Sequence, residues 1–94
     1  NEDERAASVD LGALVRTTLV HARLRAEARQ IELSSRVEDE VRIDGHEAQL
    51  QSLVENLVDN ALRHTPPGGR VHVELVPRRH GASLRVSDSG PGIP

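Results

Sequence analysis

The sequence predicts an α+β fold, a two-layer sandwich in which two helices lie on one face of a mixed β-sheet. Two segments carry apolar residues at helical spacing, and four or five short segments alternate apolar with polar residues. Strands of that alternating kind have one buried face, so the two helices are expected to cover it. The 94 residues suffice for one small domain or part of one.

The first third of the chain predicts a linker, a short strand, a helix and a second strand. Residues 1–8 are polar and are interpreted as the linker. Residues 9–11 are expected to form the short strand, with Asp10 placed to cap the helix that follows. Apolar spacing puts this helix at about residues 11–29, and alternation over residues 31–37 predicts the next strand.

The middle of the chain predicts another short strand and a second helix. Val41 and Ile43 indicate the strand. Asp44 is followed three residues later by Glu47, which is the spacing of a capping box at the start of a helix. The sequence TPPGG at residues 65–69 is expected to end this helix.

The last third predicts a pair of strands. Apolar and polar residues alternate over residues 71–75, and residues 77–81 are interpreted as a turn. A final strand contains Leu84 and Val86 and is expected to end at Asp88.

The composition argues against several kinds of protein and site. A net charge of −3 without a basic block argues against nucleic acid as a partner. Cysteine is absent, which excludes disulfides and thiolate metal sites. Phe, Trp, Tyr and Met are absent too, so Leu, Val, Ile and Ala must fill the core. No apolar run approaches the roughly 20 residues of a membrane span.

The second predicted helix carries two asparagines four residues apart at its middle. On a helical projection Asn56, Asn60 and Arg63 gather on the face opposite to the apolar residues. The apolar face is expected to contain Leu50, Val54, Leu57, Val58 and Ala61. Because asparagine is up to about 0.7 kcal/mol worse than alanine inside a helix, the pair indicates a use as readily as a plain solvated surface. The amide oxygen is a hard ligand suited to Mg²⁺, and Arg63 can face a phosphate.

At the end of the last predicted strand, Asp88 leads into Gly90 and Gly92. Glycine lets the backbone approach a ligand closely, and a carboxylate here can accept a hydrogen bond from an exocyclic amino group such as that of adenine. A plain turn is the alternative reading, since glycine and proline dominate turns. The asparagine helix, TPPGG and this segment in that order favour a nucleotide site over a plain turn.

In this order the segments LVENLVDNALRHTPPGG and DSGPGIP resemble the asparagine box and the first glycine box of the ATP-binding domain of sensor histidine kinases. The resemblance covers residues 9–94, and residues 1–8 would then be a linker from an upstream dimerisation region. It implies an ATP pocket of the kind shared with gyrase, mismatch-repair ATPases and heat-shock chaperones. It also implies a partial domain that ends just after the first glycine box.

Carried over position by position, the resemblance implies that Asn60 binds Mg²⁺ and that Asn56 is the second polar residue of the box. Arg63 would lie near the terminal phosphates of ATP. His64 stands where many relatives have Tyr or Phe, so the resemblance does not extend to ring stacking at this position.

The same resemblance implies that Asp88 reads the adenine and that Gly90 and Gly92 begin the flexible lid of the pocket. Two other readings stay open, a non-kinase ATPase of the same superfamily and a small α/β interaction module. The hydrolysing relatives usually carry Glu at the position of Asn56, and an amide cannot act as a general base. Glu55 is adjacent but points about 100° away on the helix, which favours the kinase.

The resemblance further implies that the parent protein phosphorylates its own histidine and then a response regulator. No histidine of this chain lies in a phosphoacceptor context, so the catalytic histidine is expected outside it and the fragment alone is expected to be inactive. The implied partners are the receiver domain of the response regulator and the kinase's own dimerisation and phosphoacceptor domain. A homodimer is expected, also through an exposed strand edge of the fragment. The implied location is cytoplasmic, with the parent anchored in the bacterial inner membrane.

Overall fold

The computed structural model describes residues 7–89, which form five strands and two helices. In chain order the elements are β1 Ala7–Asp10, α1 Leu11–Ala28, β2 Glu32–Val37, β3 Arg42–Gly45, α2 Glu47–His64, β4 Arg70–Arg78 and β5 Gly81–Asp88. The order and type of these elements agree with the prediction. The first strand begins two residues earlier than predicted, inside the segment interpreted as the linker, and Leu11 already belongs to α1.

The strands form two sheets. β1 and β3 pair antiparallel as a two-stranded sheet, with Val9 opposite Ile43. β4 is the central strand of a three-stranded sheet, in which it runs parallel to β2 and antiparallel to β5. The predicted mixed sheet is therefore this second one, and the short strands β1 and β3 stand apart from it.

Burial alternates along the central strand, as its sequence predicts. Val71, Val73 and Leu75 are fully buried, whereas His72 and Glu74 are only partly buried. The three buried residues form one cluster with apolar side chains of both helices, which places both helices on the same face of the sheet. The helix contributions are Leu11, Val15, Leu19, Ala22 and Ala26 from α1, and Val54, Val58, Ala61 and Leu62 from α2. The fold class is thus confirmed, with a core made only of aliphatic side chains.

The two helices begin differently. At α1 the cap is the predicted one, since Asp10 Oδ1 accepts a hydrogen bond of 3.0 Å from the amide of Ala13. At α2 the predicted capping box is wrong. Asp44 lies in β3 opposite Ser8, the helix begins at Glu47, and His46 is the residue at the N-cap. Pairing of β3 with β1 keeps the chain extended through Gly45, so Asp44 cannot reach the cap position.

The predicted turn at residues 77–81 is too long. β4 continues to Arg78 and β5 begins at Gly81, with Pro77 paired opposite Ala82. Proline is tolerated there because β2 pairs with β4 only as far as Leu75, so Pro77 has a neighbouring strand on one side only. Of the helices in the described part of the chain, neither has the length and apolar content that a membrane span requires.

Candidate functional site

The outer face of α2 carries the predicted polar residues. Asn56, Asn60 and Arg63 are all exposed, and Val54 and Val58 on the opposite face are buried. Within residues 7–89 neither asparagine side chain has a hydrogen-bond partner. Two amide groups one helical turn apart therefore face solvent with all their hydrogen-bonding capacity unused by the described residues.

Two leucines lie beside these amides. Leu53 is 52% exposed and Leu57 is 38% exposed, and their spacing places them next to Asn56 and Asn60 on the helix surface. The predicted apolar face therefore includes a position, Leu57, that is exposed. Helical periodicity assigns a residue to a face, but burial depends on whether another element covers that face, and none of the described residues covers this one fully. The surface offers apolar contact next to hydrogen-bonding groups.

Arg63 lies near two arginines that the sequence reading did not single out. It lines a groove of about 480 Å³ together with Arg25 and Arg29, at the C-terminal ends of α1 and α2. Arg25 Nη2 binds Asp59 Oδ1 at 2.5 Å, and Arg29 Nη1 donates to the Leu62 carbonyl at 2.9 Å. The sequence signal for this cluster was the spacing of Arg25 and Arg29 at i and i+4 in the last turns of the helix.

Asp88 is the last residue of β5, as predicted, and its side chain is exposed. It pairs with Val71 of β4. The next residue, Ser89, binds Arg70 twice, because its amide donates to the Arg70 carbonyl at 3.0 Å and its Oγ accepts from the Arg70 amide at 3.0 Å. The backbone of Asp88 is thus held by the pairing with Val71 and by the two hydrogen bonds of the next residue, Ser89. The predicted residues Gly90 and Gly92 lie outside the described residues.

The loop between α2 and β4 connects the asparagine helix to this strand end. Thr65 closes α2, and its Oγ1 donates to the Ala61 carbonyl at 2.7 Å. A Cβ on Gly69 would lie 2.5 Å from Thr65 Cγ2 and 2.8 Å from Ser89 Oγ, so only glycine fits between them. Gly68 is favoured for a different reason, since its φ of +89° is a conformation that residues with a Cβ rarely adopt. Sequence reasoning identified TPPGG as a helix end and did not detect this contact with Ser89.

A family model matches the second half of the chain. Residues 45–94, which include α2 and the Asp88 segment, match the family described as histidine kinase-, DNA gyrase B- and HSP90-like ATPases. The chain belongs to this ATPase family. The predicted resemblance is therefore confirmed.

The named relatives are sensor kinases. The sensor protein kinase PmrB of Pseudomonas aeruginosa is 40% identical over 90 residues, which cover 96% of this chain and 19% of that protein. The chain therefore spans about a fifth of the length of this curated relative.

Solved structures have the same fold. The structure of the mycobacterial sensor histidine kinase MprB is 33% identical, with a TM-score of 0.73, covering 95% of this chain and 58% of that one. The histidine kinase ThkA, solved in complex with the response regulator protein TrrA, has a TM-score of 0.83 at 21% identity, covering 95% of this chain and 27% of that one. At that identity ThkA supports the fold alone. Histidine kinases are thus the branch of the ATPase family that this chain matches.

The donor groups of the site fit a magnesium nucleotide. Among residues 7–89 no group of three or more His, Cys, Asp or Glu side chains could hold a metal ion by itself. Mg²⁺ commonly keeps several waters and binds through one or two protein oxygens plus the phosphates of its substrate. The amide oxygens of Asn56 and Asn60 match that need, because they are neutral, exposed and hard.

Two carboxylates adjoin the asparagines along α2, and both are engaged elsewhere: Asp59 binds Arg25, and Glu55 accepts a hydrogen bond from Gln51. Gln51 Nε2 donates to Glu55 Oε2 at 3.1 Å, one turn back along the helix. The carboxylate is half-buried and therefore less open than Asn56 and Asn60, which are exposed. This placement agrees with the expectation that Glu55 points away from the asparagine face.

Proposed function

We propose that this chain is the nucleotide-binding part of a sensor histidine kinase and that it binds ATP with Mg²⁺ on the outer face of α2. The observation that supports the proposal most is that a chain of the ATPase family carries both two exposed asparagines without hydrogen-bond partners among the described residues and an exposed aspartate at a strand end. The contacts of Thr65, Gly69 and Ser89 join these two parts of the site.

Each residue has a distinct part in the proposed site. Asn60 supplies an amide oxygen to the magnesium ion, with Asn56 as a second polar contact. A bound magnesium ion supplies neutralisation of the phosphate charge. Arg63, which lines the groove with Arg25 and Arg29, faces the terminal phosphates. Asp88 accepts a hydrogen bond from the adenine amino group, and Gly90 and Gly92 allow the backbone to approach the nucleotide.

The residue types favour phosphoryl transfer to a separate histidine over ATP hydrolysis at this site. A water-activating ATPase needs a carboxylate or imidazole within hydrogen-bond reach of the water. Asn56 cannot take a proton, Glu55 is held by Gln51, and Asp59 is held by Arg25. A site that holds ATP without activating water preserves the γ-phosphate until an external nucleophile arrives.

The full-length protein is proposed to phosphorylate its own histidine and to pass the phosphoryl group to the receiver domain of a response regulator. The similarity to PmrB supports this, since PmrB is a sensor protein kinase. The proposed partners are that receiver domain, the protein's own dimerisation and phosphoacceptor domain, and a second copy of the protein. The proposed location of this segment is cytoplasmic, with the full-length protein anchored in the bacterial inner membrane.

Autophosphorylation of the full-length protein tests the site. Asn60→Asp replaces a neutral ligand by a charged one and is expected to abolish incorporation of labelled phosphate from Mg-ATP. Asp88→Asn presents a donor to the adenine amino group and is expected to weaken ATP binding by about 5- to 150-fold, the range for a mismatched buried polar group. Calorimetric titration with ATP measures the second effect.

Gln49→Glu is the matched control for Asn60→Asp. Gln49 is an exposed amide on the same helix, outside the proposed site, and the substitution adds the same single charge. It should leave both autophosphorylation and ATP affinity unchanged. Wild-type phosphorylation in both Asn60→Asp and Asp88→Asn would show that the site is misplaced.

A further inference from the structure

We propose that Ser89 is a positioning residue for Asp88 and that it sets the preference of the site for adenine. This inference rests on the proposed function, in which Asp88 reads the adenine amino group. Ser89 itself does not touch the nucleotide. Its role follows from how it fastens the chain where β5 leaves the sheet.

Ser89 makes two hydrogen bonds to the backbone of Arg70. Regular pairing of β4 with β5 ends where Asp88 lies opposite Val71. One residue further, the Ser89 amide donates to the Arg70 carbonyl at 3.0 Å and the Ser89 hydroxyl accepts from the Arg70 amide at 3.0 Å. Asp88 therefore lies between two anchored positions. A strand end without the second anchor would hold the Asp88 carboxylate less firmly.

Ser89 also contacts the loop that follows the asparagine helix α2. Ser89 Oγ lies 2.8 Å from where a Cβ of Gly69 would be, so glycine at position 69 is what allows this approach. Thr65 Cγ2 crowds the same point from the other side, at 2.5 Å. Thr65 in turn binds the Ala61 carbonyl, next to Asn60. The chain of contacts from Asn60 to Asp88 thus passes through Gly69 and Ser89.

These contacts of Ser89 affect how Asp88 recognises the adenine base. A hydrogen bond between a carboxylate and an amino group weakens steeply when the donor, hydrogen and acceptor lose alignment. Loss of the Ser89 hydroxyl leaves the Arg70 amide without its acceptor. The residue after Asp88 is then held only by the hydrogen bond from its own amide to the Arg70 carbonyl. Binding of the phosphates and magnesium, which depends on α2, would be affected less than reading of the base. The expected signature is a loss of base selectivity.

The test compares ATP with inosine triphosphate, which lacks the exocyclic amino group, as ligands of the full-length protein. The affinity ratio of ATP to inosine triphosphate is expected to fall by about 2- to 12-fold in Ser89→Ala, the range for one lost hydrogen bond. Ser89→Thr retains the hydroxyl and should keep the wild-type ratio. Ser87→Ala, at an exposed serine two residues earlier on the same strand, is the matched control and should also keep it.

The outcomes separate this inference from the proposed function. If Asp88→Asn lowers the ratio and Ser89→Ala does not, the inference is wrong and the proposed site stands. An unchanged ratio in Asp88→Asn overturns the assignment of Asp88 and the inference with it. Equal weakening of both nucleotides in Ser89→Ala would indicate a general structural role and would also overturn the inference. Faster hydrogen exchange at the Arg70 amide in Ser89→Ala, absent in Ser89→Thr, gives a readout that needs no nucleotide.

Discussion

Asn56 and Asn60 lower the stability of the helix that carries them. Asparagine in a helix interior is less favourable than alanine because its side chain competes for backbone hydrogen bonds and loses rotamer freedom. Within the described residues these side chains gain no hydrogen bond that would offset this cost. A residue type that costs stability and has no structural partner is most simply explained by a ligand.

We therefore expect Asn56→Ala combined with Asn60→Ala to stabilise the 94-residue chain while removing nucleotide binding. The gain should be about 1 kcal/mol for the pair, from helix propensity alone. Urea unfolding followed by circular dichroism measures the stability, and calorimetry of the full-length protein measures ATP binding.

Ser52→Ala controls for the general effect of alanine on an exposed face of the same helix. It should change stability by less than the pair and leave ATP binding intact. A double alanine variant that is less stable than the wild type would show that the asparagines support the fold.

At the scale of elements, two aspartates that look alike in the sequence have different structural roles. Asp10 caps α1 through a hydrogen bond to the Ala13 amide, whereas Asp44 lies in β3, away from the first turn of α2. Both precede apolar periodic segments, and Asp44 has the better capping-box spacing to Glu47. They differ because the pairing of β3 with β1 continues past Asp44 to Gly45, whereas β1 ends at Asp10 and α1 begins directly after it.

Asp10→Ala is expected to destabilise the chain by about 1 kcal/mol, since one helix-end amide loses its acceptor. Asp10→Asn should retain most of the stability, because asparagine caps equally well and only the ion pair with Arg42 is lost. Asp44→Ala is the matched control and should stay within about 0.5 kcal/mol of the wild type. Equal losses in Asp10→Ala and Asp44→Ala, measured by thermal unfolding, would contradict this assignment.

The sequence predicted the elements whose signals are local. Periodicity located both helices within a few residues, and the alternation of Val71, Val73 and Leu75 identified the central strand and its buried face. The pairing of strands that are distant in the sequence has no local sequence signal. The partner of β1, the start of α2 and the strand position of Pro77 all depend on which segment lies beside which, and a single sequence does not state this.

The candidate site also contains residues that a local pattern predicts and residues that it does not. Asn56, Asn60 and Arg63 share a helix face that spacing alone predicts, and Asp88 ends a strand that alternation predicts. The roles of Ser89 and Gly69 depend on a contact between residues 20 positions apart, which no local pattern encodes. Periodicity also placed Leu57 on the apolar face of α2, but it does not tell whether another element covers that position, and Leu57 is exposed.

At the scale of the whole molecule, two surfaces favour association of the 94-residue chain with itself. Within residues 7–89, β5 is hydrogen-bonded on one side only, to β4, and its other edge carries unpaired backbone groups. Such an edge is a template for pairing with another strand. Leu53 and Leu57 add exposed apolar surface on α2.

We expect the 94-residue chain to form dimers or larger species at micromolar concentrations, measured by light scattering after size exclusion. Leu53→Gln combined with Leu57→Gln should weaken association if the helix face contributes. Val20→Gln combined with Leu24→Gln is the control, since these residues are more exposed but lie on the outer face of α1, away from β5. A single peak at the mass of one chain, held to high micromolar concentration, would contradict the prediction.

The aliphatic core has a spectroscopic consequence. Because the chain contains no Phe, Tyr or Trp, the protein is nearly transparent in the near ultraviolet and has no intrinsic fluorescence. The absorbance of a bound adenine would therefore not be hidden by the protein's own signal. Nucleotide and protein in a complex of this chain can be counted separately, the one by its base and the other by its peptide bonds.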